Sequence, residues 1–303
     1  MSRDAFSDDP RDTQEREPRS ANGPSPSRQT ESSRQIEQAT SSVSIATERK
    51  PEALDSPRAH YLGDRAYFLR ESELKTLVEV GTFRAIAVPD LARIGYGGVT
   101  QRMEREIHRL KDQSLVSEKV VRGDRNQTIR LFALTRKGAR LARNSGTVPE
   151  GQTVYHGFVK PREAAHDADL YRLYHAEVQK IREAGGRLTR VVLDYELKRD
   201  VYRDLAAVSP EEQTEQLREE IAARHELTVV EGKIPLPDMR IEYDTAEMEH
   251  RHLDLELATR NYRPRALAQK AKAGFSLYAP RADASRLRRV LDEREITAEI
   301  LSL

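Results

Sequence analysis

Between residues 94 and 143 the spacing of apolar positions changes period twice. Val99, Met103, Ile107 and Leu110 recur at helical spacing and make one stripe, with Thr100, Gln101, Arg102, Arg105 and Arg109 turned away from it. From Val116 to Arg122, and again from Thr128 to Leu134, the period drops to two. The turn residues Gly123-Asp124-Arg125-Asn126 lie between these runs, so the pattern predicts a β-hairpin. Thr135 is placed to cap a further helix, "TRKGARLA". Upstream, Ser72 caps a helix carrying Leu74, Leu77 and Val78 that Gly81 would end. Pro89 opens a short helix with Leu91 and Ile94, closed by Gly95, and "GYGG" supplies the permissive backbone of a tight turn.

Three helices followed by a hairpin with a basic tip predict a winged helix-turn-helix over residues 63–145. Residues 1–62 are polar, with almost no large apolar side chains, and are expected to form a disordered tail. Residues 146–162 carry Gly and Pro without periodicity and read as a linker. The remainder, 163–303, reads as an α/β domain. A long helix over about 163–184 carries Leu170, Tyr174, Val178 and Ile181 on one face, and Gly185-Gly186 stop it. A strand follows, "LTRVVLDYEL", with Val191, Leu193, Tyr195 and Leu197 on one side and Val192, Asp194 and Glu196 on the other. Ser209-Pro210-Glu211-Glu212 has the form of a helix start. The acidic segment it belongs to, 204–228, reads as an insertion packed through Leu217 and Ile221, either as a dimer seam or as a cover for the sheet. Two alternating strands, 236–244 and 250–259, then predict a second hairpin, followed by a helix over about 264–277.

Charge sharpens this division. The chain of 303 residues has a net charge of +1, but residues 67–143 hold 16 Lys/Arg against 9 Asp/Glu, while 204–226 hold 7 acids against 2 Arg. A local excess of positive charge is the footprint of a nucleic-acid binder, with double-stranded DNA as the expected partner. Thr100, Gln101, Arg102, Arg105 and Arg109 would be the recognition-helix contacts, and Arg122, Arg125 and Arg130 the wing contacts to phosphates. There is no cysteine, so disulfides and thiolate metal sites are excluded. No apolar run approaches the roughly 20 residues of a membrane span, and the polar N-terminus lacks a secretory h-region, so a cytoplasmic location is expected.

In the second hairpin His252, Asp254 and Glu256 share one face, and Asp238 begins the partner strand close to where theirs ends. Converging carboxylates repel one another unless a cation lies among them. Asp238, Asp254 and Glu256, with Glu196 as a further carboxylate, are therefore the candidate Mg²⁺ ligands, and Lys270 and Lys272 the candidate catalytic cations. His166 and His175 read as packing or surface residues, and no pair of histidines has zinc-site spacing.

Pro237-Asp238, a hairpin and then Asp254-Leu255-Glu256 resemble the PD-(D/E)xK nuclease-like core. Joined to an N-terminal winged helix, "LTRKG", "HDADLYRLYHAE", "DYEL", "LPD", "LDLELAT" and the Lys-containing helix ending in Tyr278 are similar to the replication-relaxation family of plasmids and mobile elements. The resemblance covers about residues 66–280. It implies an α+β/α/β two-domain protein, a winged helix followed by a restriction-endonuclease-like domain, tied to replication or mobilisation and to the partner proteins of those processes. Two departures point to a degenerate core. No lysine follows the acidic pair, since Ala258 stands two residues after Glu256, so Lys270 or Lys272 would have to act from the helix. After Tyr278 the chain reads as a polar helix and tail, without a further buried strand. The expectation is a non-catalytic DNA-binding protein. The alternatives are a Mg²⁺-dependent DNA endonuclease and a winged-helix transcriptional regulator whose C-terminal domain dimerises or senses a ligand.

Overall fold

The structure, a computed structural model, describes residues 56–122, 128–158, 161–209, 214–259 and 262–302, with the side chains of the helix that starts at Pro161 described from His166 onward. Its first element is an antiparallel hairpin of β1 (Arg58–Leu62) and β2 (Arg65–Leu69), turned at Gly63 with φ +60. Tyr67 and Leu69 of β2 are buried, and β1 lies inside the stretch 1–62 expected to be tail, so regular structure begins before that boundary. Helix α1 (Glu71–Thr82) follows and buries Leu74, Leu77 and Val80. Gly81 lies within α1 and does not end it. A Cβ there would come within 2.5 Å of Val154 and 2.9 Å of Leu134, so the glycine serves close packing.

β3 (Ile86–Ala87) leads to α2 (Val88–Asp90), which continues into a π-helical turn at Leu91–Gly95. Gly97 and Gly98 then take φ +57 and +84, backbone that a side chain would strain, and set the chain into α3 (Thr100–Asp112). Met103, Ile107 and Leu110 form the buried stripe of α3 as their spacing required. Val99 does not belong to it, because it precedes the helix and is 54% exposed. β4 (Val116–Arg122) and β5 (Thr128–Leu134) pair antiparallel from Val116↔Leu134 to Arg122↔Thr128, and β3 lies on the other side of β5. The hairpin tip with Arg125 lies outside the described residues. Thr135 caps α4 (Arg136–Asn144), its hydroxyl accepting the Gly138 N–H at 3.0 Å.

The expected linker is packed against the fold. Val154 is buried, the Tyr155 N–H donates to Gly81 at 2.7 Å, and the Gln152 side chain exchanges two hydrogen bonds with the Val191 backbone. Then come α5 (Pro161–Glu183), β6 (Arg187–Leu193), α6 (Asp194–Ala206), α7 (Glu215–Arg224), β7 (Met239–Asp244), β8 (His250–Leu257), α8 (Pro264–Lys272), β9 (Ser276–Ala279), α9 (Arg281–Asp292) and β10 (Ile300–Ser302). The strands form one sheet in the order β10-β9-β8-β7-β6. Strands β6, β7 and β8 are antiparallel, with β9 parallel to β8 and β10 parallel to β9.

Three expectations are corrected here. Strand β6 stops at Leu193, and "DYEL" starts α6, so Glu196 stands on a helix. Leu197 and Val201 are buried one turn apart, and Asp194 and Glu196 suit the positive end of the helix dipole. The helix expected over 264–277 ends at Lys272, which frees Ser276–Ala279 to pair with β8. The chain after Tyr278 does supply a further strand, β10. Of the proposed start at Ser209, positions 210–213 lie outside the described residues. Helix α7 is capped by Thr214, and its Ile221 is fully buried in the second core, so α7 covers the sheet.

The fold is α+β. One apolar cluster runs from Tyr67 and Leu77 through α5 (Leu170, Tyr171, Leu173, Val178) to Leu193, Met239, Leu255 and Tyr278. A second gathers Val201, Ile221, Leu267, Leu277, Leu287 and Ile300 from α6, α7, α8, α9, β9 and β10. Leu277 and Tyr278, adjacent on β9, enter different clusters because successive strand side chains face opposite sides.

Candidate functional site

Helix α3 is held against α1 by a chain of polar contacts. The Tyr96 hydroxyl bonds Thr76 at 2.6 Å and donates to Glu106 at 2.9 Å; burial, first of all, pushes this phenol well above its ordinary range. Glu106 and Glu73 are buried, and arginines of α3 neutralise them. Arg102 donates to Glu106 at 3.0 Å and Arg109 to Glu73 at 2.5 Å. Arg130, on β5, donates to Glu118 at 2.7 Å and to Glu104 at 3.4 Å. Lys111 donates to the other Glu118 oxygen at 2.6 Å, and the bonds from Lys111 and Arg130 hold the Glu118 carboxyl below its ordinary value. Arg102, Arg109 and Arg130 are thus engaged with the protein's own acids, although 42, 39 and 47% of each side chain stays exposed. Thr100, Gln101 and Arg105 on α3 and Arg122 at the end of β4 are exposed.

At the opposite end of the chain the structure brings together Asp238, Glu256 and Lys270. Asp238 precedes β7 and lies beside Glu256 of β8, and its N–H donates to the Glu256 carboxylate at 3.2 Å. The Leu257 N–H donates to Asp238 Oδ2 at 2.8 Å. Lys270 reaches over from α8 to Glu256 at 2.9 Å and to the Leu236 carbonyl, and the Tyr262 hydroxyl donates to the other Glu256 oxygen. Glu256 is 1% exposed. Burial and the neighbouring Asp238 charge push its carboxyl up to about 7, against the pull of Lys270 and Tyr262. His166, at the start of α5, lies 3.4 Å from Asp238 Oδ1. Burial lowers this imidazole, but Asp238 outweighs that and raises it to about 9. Burial likewise raises Asp238, and His166 and Lys270 bring it below the ordinary carboxylate value.

The other expected ligands go elsewhere. Asp254 shares the β8 face of Glu256, but Arg240 grips both its oxygens, at 2.7 and 2.8 Å, and also donates to the carbonyls of His225 and Glu226. Glu196 accepts from Arg190 and from Tyr155. Lys272 lies at the surface, 3.4 Å from Glu231. Mg²⁺ needs carboxylate oxygens free to face it, with room for its waters. Here each oxygen of Asp238 and Glu256 already faces a donor, and the Lys270 ammonium occupies the cation's place between Glu256 and the Leu236 carbonyl. Among the described residues no three His, Cys, Asp or Glu side chains are grouped to hold a metal ion.

Sequence reading missed three participants. Arg240 carried a signal, since it stands opposite Asp254 in the hairpin register among apolar neighbours. Tyr262 and His166 come from outside the hairpin, and only the fold brings them to it. No family model matches the chain, and neither a curated protein nor a solved structure matches it. Among the described residues no helix is long and apolar enough to cross a membrane.

Proposed function

We propose that this is a non-catalytic DNA-binding protein that docks a duplex through a winged helix formed by α1–α3 and the β4–β5 hairpin. The observation that carries the reading is the edge of α3 bearing Thr100, Gln101 and Arg105, exposed beside an antiparallel hairpin of two seven-residue strands whose Arg122 is also exposed. Gln can read adenine and Arg guanine in the major groove, while Arg122 suits a flanking phosphate. Arg102, Arg109 and Arg130 chiefly hold the module together. The resemblance of Pro237-Asp238, Asp254-Leu255-Glu256 and the neighbouring motifs to the replication-relaxation family supports a role in plasmid or mobile-element replication or mobilisation. The test is duplex binding followed by fluorescence anisotropy. Gln101→Ala with Arg105→Ala should weaken binding about tenfold or more and relax sequence preference. Unchanged affinity and preference in that variant would remove α3 as the reading helix.

One observation favours a second reading, a metal-dependent endonuclease: Asp238, Glu256 and Lys270 do converge. The donor-saturated carboxylates weigh against it. Incubation of supercoiled plasmid with Mg²⁺ or Mn²⁺ should leave it intact. Nicking that disappears in Glu256→Ala would replace the non-catalytic reading.

A further inference from the structure

Helix α4 carries Arg136, Lys137, Arg140 and Arg143, and all four are exposed. Among the described residues no carboxylate pairs with any of them, in contrast to Arg102, Arg109 and Arg130. From residue 125 to 149 the sequence has six Lys/Arg and no Asp or Glu. The opposite side of the helix, Gly138, Ala139, Leu141 and Ala142, is buried, so the cations occupy a single outward face. Gly138 fixes this orientation, because a Cβ there would lie 2.1 Å from the Leu115 carbonyl oxygen.

This arrangement is unfavourable to the isolated helix. Arg136 and Lys137 stand in its first turn, at the positive end of the dipole, with no acid there to offset them. Arg136 and Arg140 are like charges one turn apart, which also destabilises a helix. An external polyanion removes both penalties. The spacing of the cations along about two turns matches a row of phosphates better than a single anion.

We infer that α4 is a second phosphate-binding face, separate from the α3 edge, and that its ligand is the backbone of nucleic acid bound without regard to sequence. The inference rests on the reading of the protein as a DNA binder and adds to it a binding surface which that reading does not use.

The experiment compares the full chain with Arg136→Gln/Lys137→Gln/Arg140→Gln/Arg143→Gln on two 30-base-pair duplexes of unrelated sequence, over a range of salt. All four side chains are exposed, and circular dichroism checks that the variant is folded. The expected result is a loss of about tenfold or more at low salt, equal for both duplexes. The slope of log affinity against log salt should shrink by about three to four, near 0.9 for each phosphate that the variant no longer neutralises. An unchanged slope overturns the inference. If the Gln101/Arg105 variant still loses binding, the α3 reading survives that failure. If the α4 variant binds duplex normally but loses binding to vesicles rich in phosphatidylglycerol, the face belongs to anionic lipid and the inference is likewise overturned.

Discussion

At the scale of single residues, the arginines of α3 look interchangeable in the sequence and differ in what they touch. Arg102 neutralises buried Glu106, whereas Arg105 is exposed with no carboxylate against it among the described residues. Removing one partner of a buried pair leaves the other charged and unsolvated. Arg102→Ala should therefore lower unfolding free energy by about 1–3 kcal/mol, and Arg105→Ala by less than about 0.5 kcal/mol; urea titrations of both variants read the difference directly. The same reasoning makes Arg240→Ala the more damaging change in the sheet, at about 3–5 kcal/mol, because Asp254 would be stranded. Arg240→Leu with Asp254→Leu should recover most of that loss. The Asp238 cluster adds a pH dependence. Glu256 is raised from its unfolded value to about 7, so the folded chain holds a proton the unfolded chain lacks, and stability falls as pH rises from about 4.5 to 7. His166, raised to about 9, contributes stability that is complete below about 6.5 and lost as pH rises through 9. With 32% of the His166 side chain exposed, solvent screening leaves about 1–2 kcal/mol of this. His166→Gln should flatten the curve between pH 6.5 and 9 and leave the lower window sloping; an unflattened upper window would show that His166 is not held by Asp238.

At the scale of elements, the sequence was most legible where one period ran uninterrupted. Helix α3, the β4–β5 hairpin, the Thr135 cap and β7–β8 all lie where apolar spacing and turn residues put them. It misled where two periods coincide. Val191, Leu193, Tyr195 and Leu197 alternate like a strand, yet Leu197, Val201 and Leu205 also repeat at helical spacing, and packing against α7 selects the helix for Asp194–Ala206. It was silent where an element is too short to show a period, as in β9, which pairs with the edge of β8, and β10, which pairs in turn with β9. The candidate site divides in the same way. Asp238 and Glu256 meet because a hairpin register is local, and their convergence could be read in advance. That Arg240 would take Asp254 depends on burial, and the arrival of His166 and Tyr262 depends on tertiary packing. Helix α4 offers a direct check on how its cap sustains it. Thr135→Ala removes the acceptor of the Gly138 N–H and should cost about 1 kcal/mol. Thr135→Ser keeps that acceptor and should cost less. If the two variants are equal in thermal unfolding, the hydroxyl is not what starts the helix.

At the scale of the molecule, α5 decides whether the two halves behave as one. The sequence placed a linker before it and made it the first element of a separate domain. In the structure, Tyr171 donates to Glu79 of α1 at 2.6 Å, and His175 meets the same carboxylate at 3.1 Å. Further along the same helix, Glu177 accepts from Tyr278 of β9 at 2.5 Å. Apolar side chains of α5 enter the cluster that also holds Leu77, Phe132, Met239 and Leu255. A helix of 23 residues that buries one stripe against both halves gives neither half a complete core without it. Calorimetry of the full chain should therefore show one cooperative transition, with calorimetric and van't Hoff enthalpies that agree. Tyr171 is fully buried, so Tyr171→Ala should remove about 3–5 kcal/mol and lower that single transition as a whole. Two resolved transitions, of which Tyr171→Ala moved one alone, would mean that α5 belongs to a single half and that the α1–α3 module and the Asp238 cluster rest on independent folds.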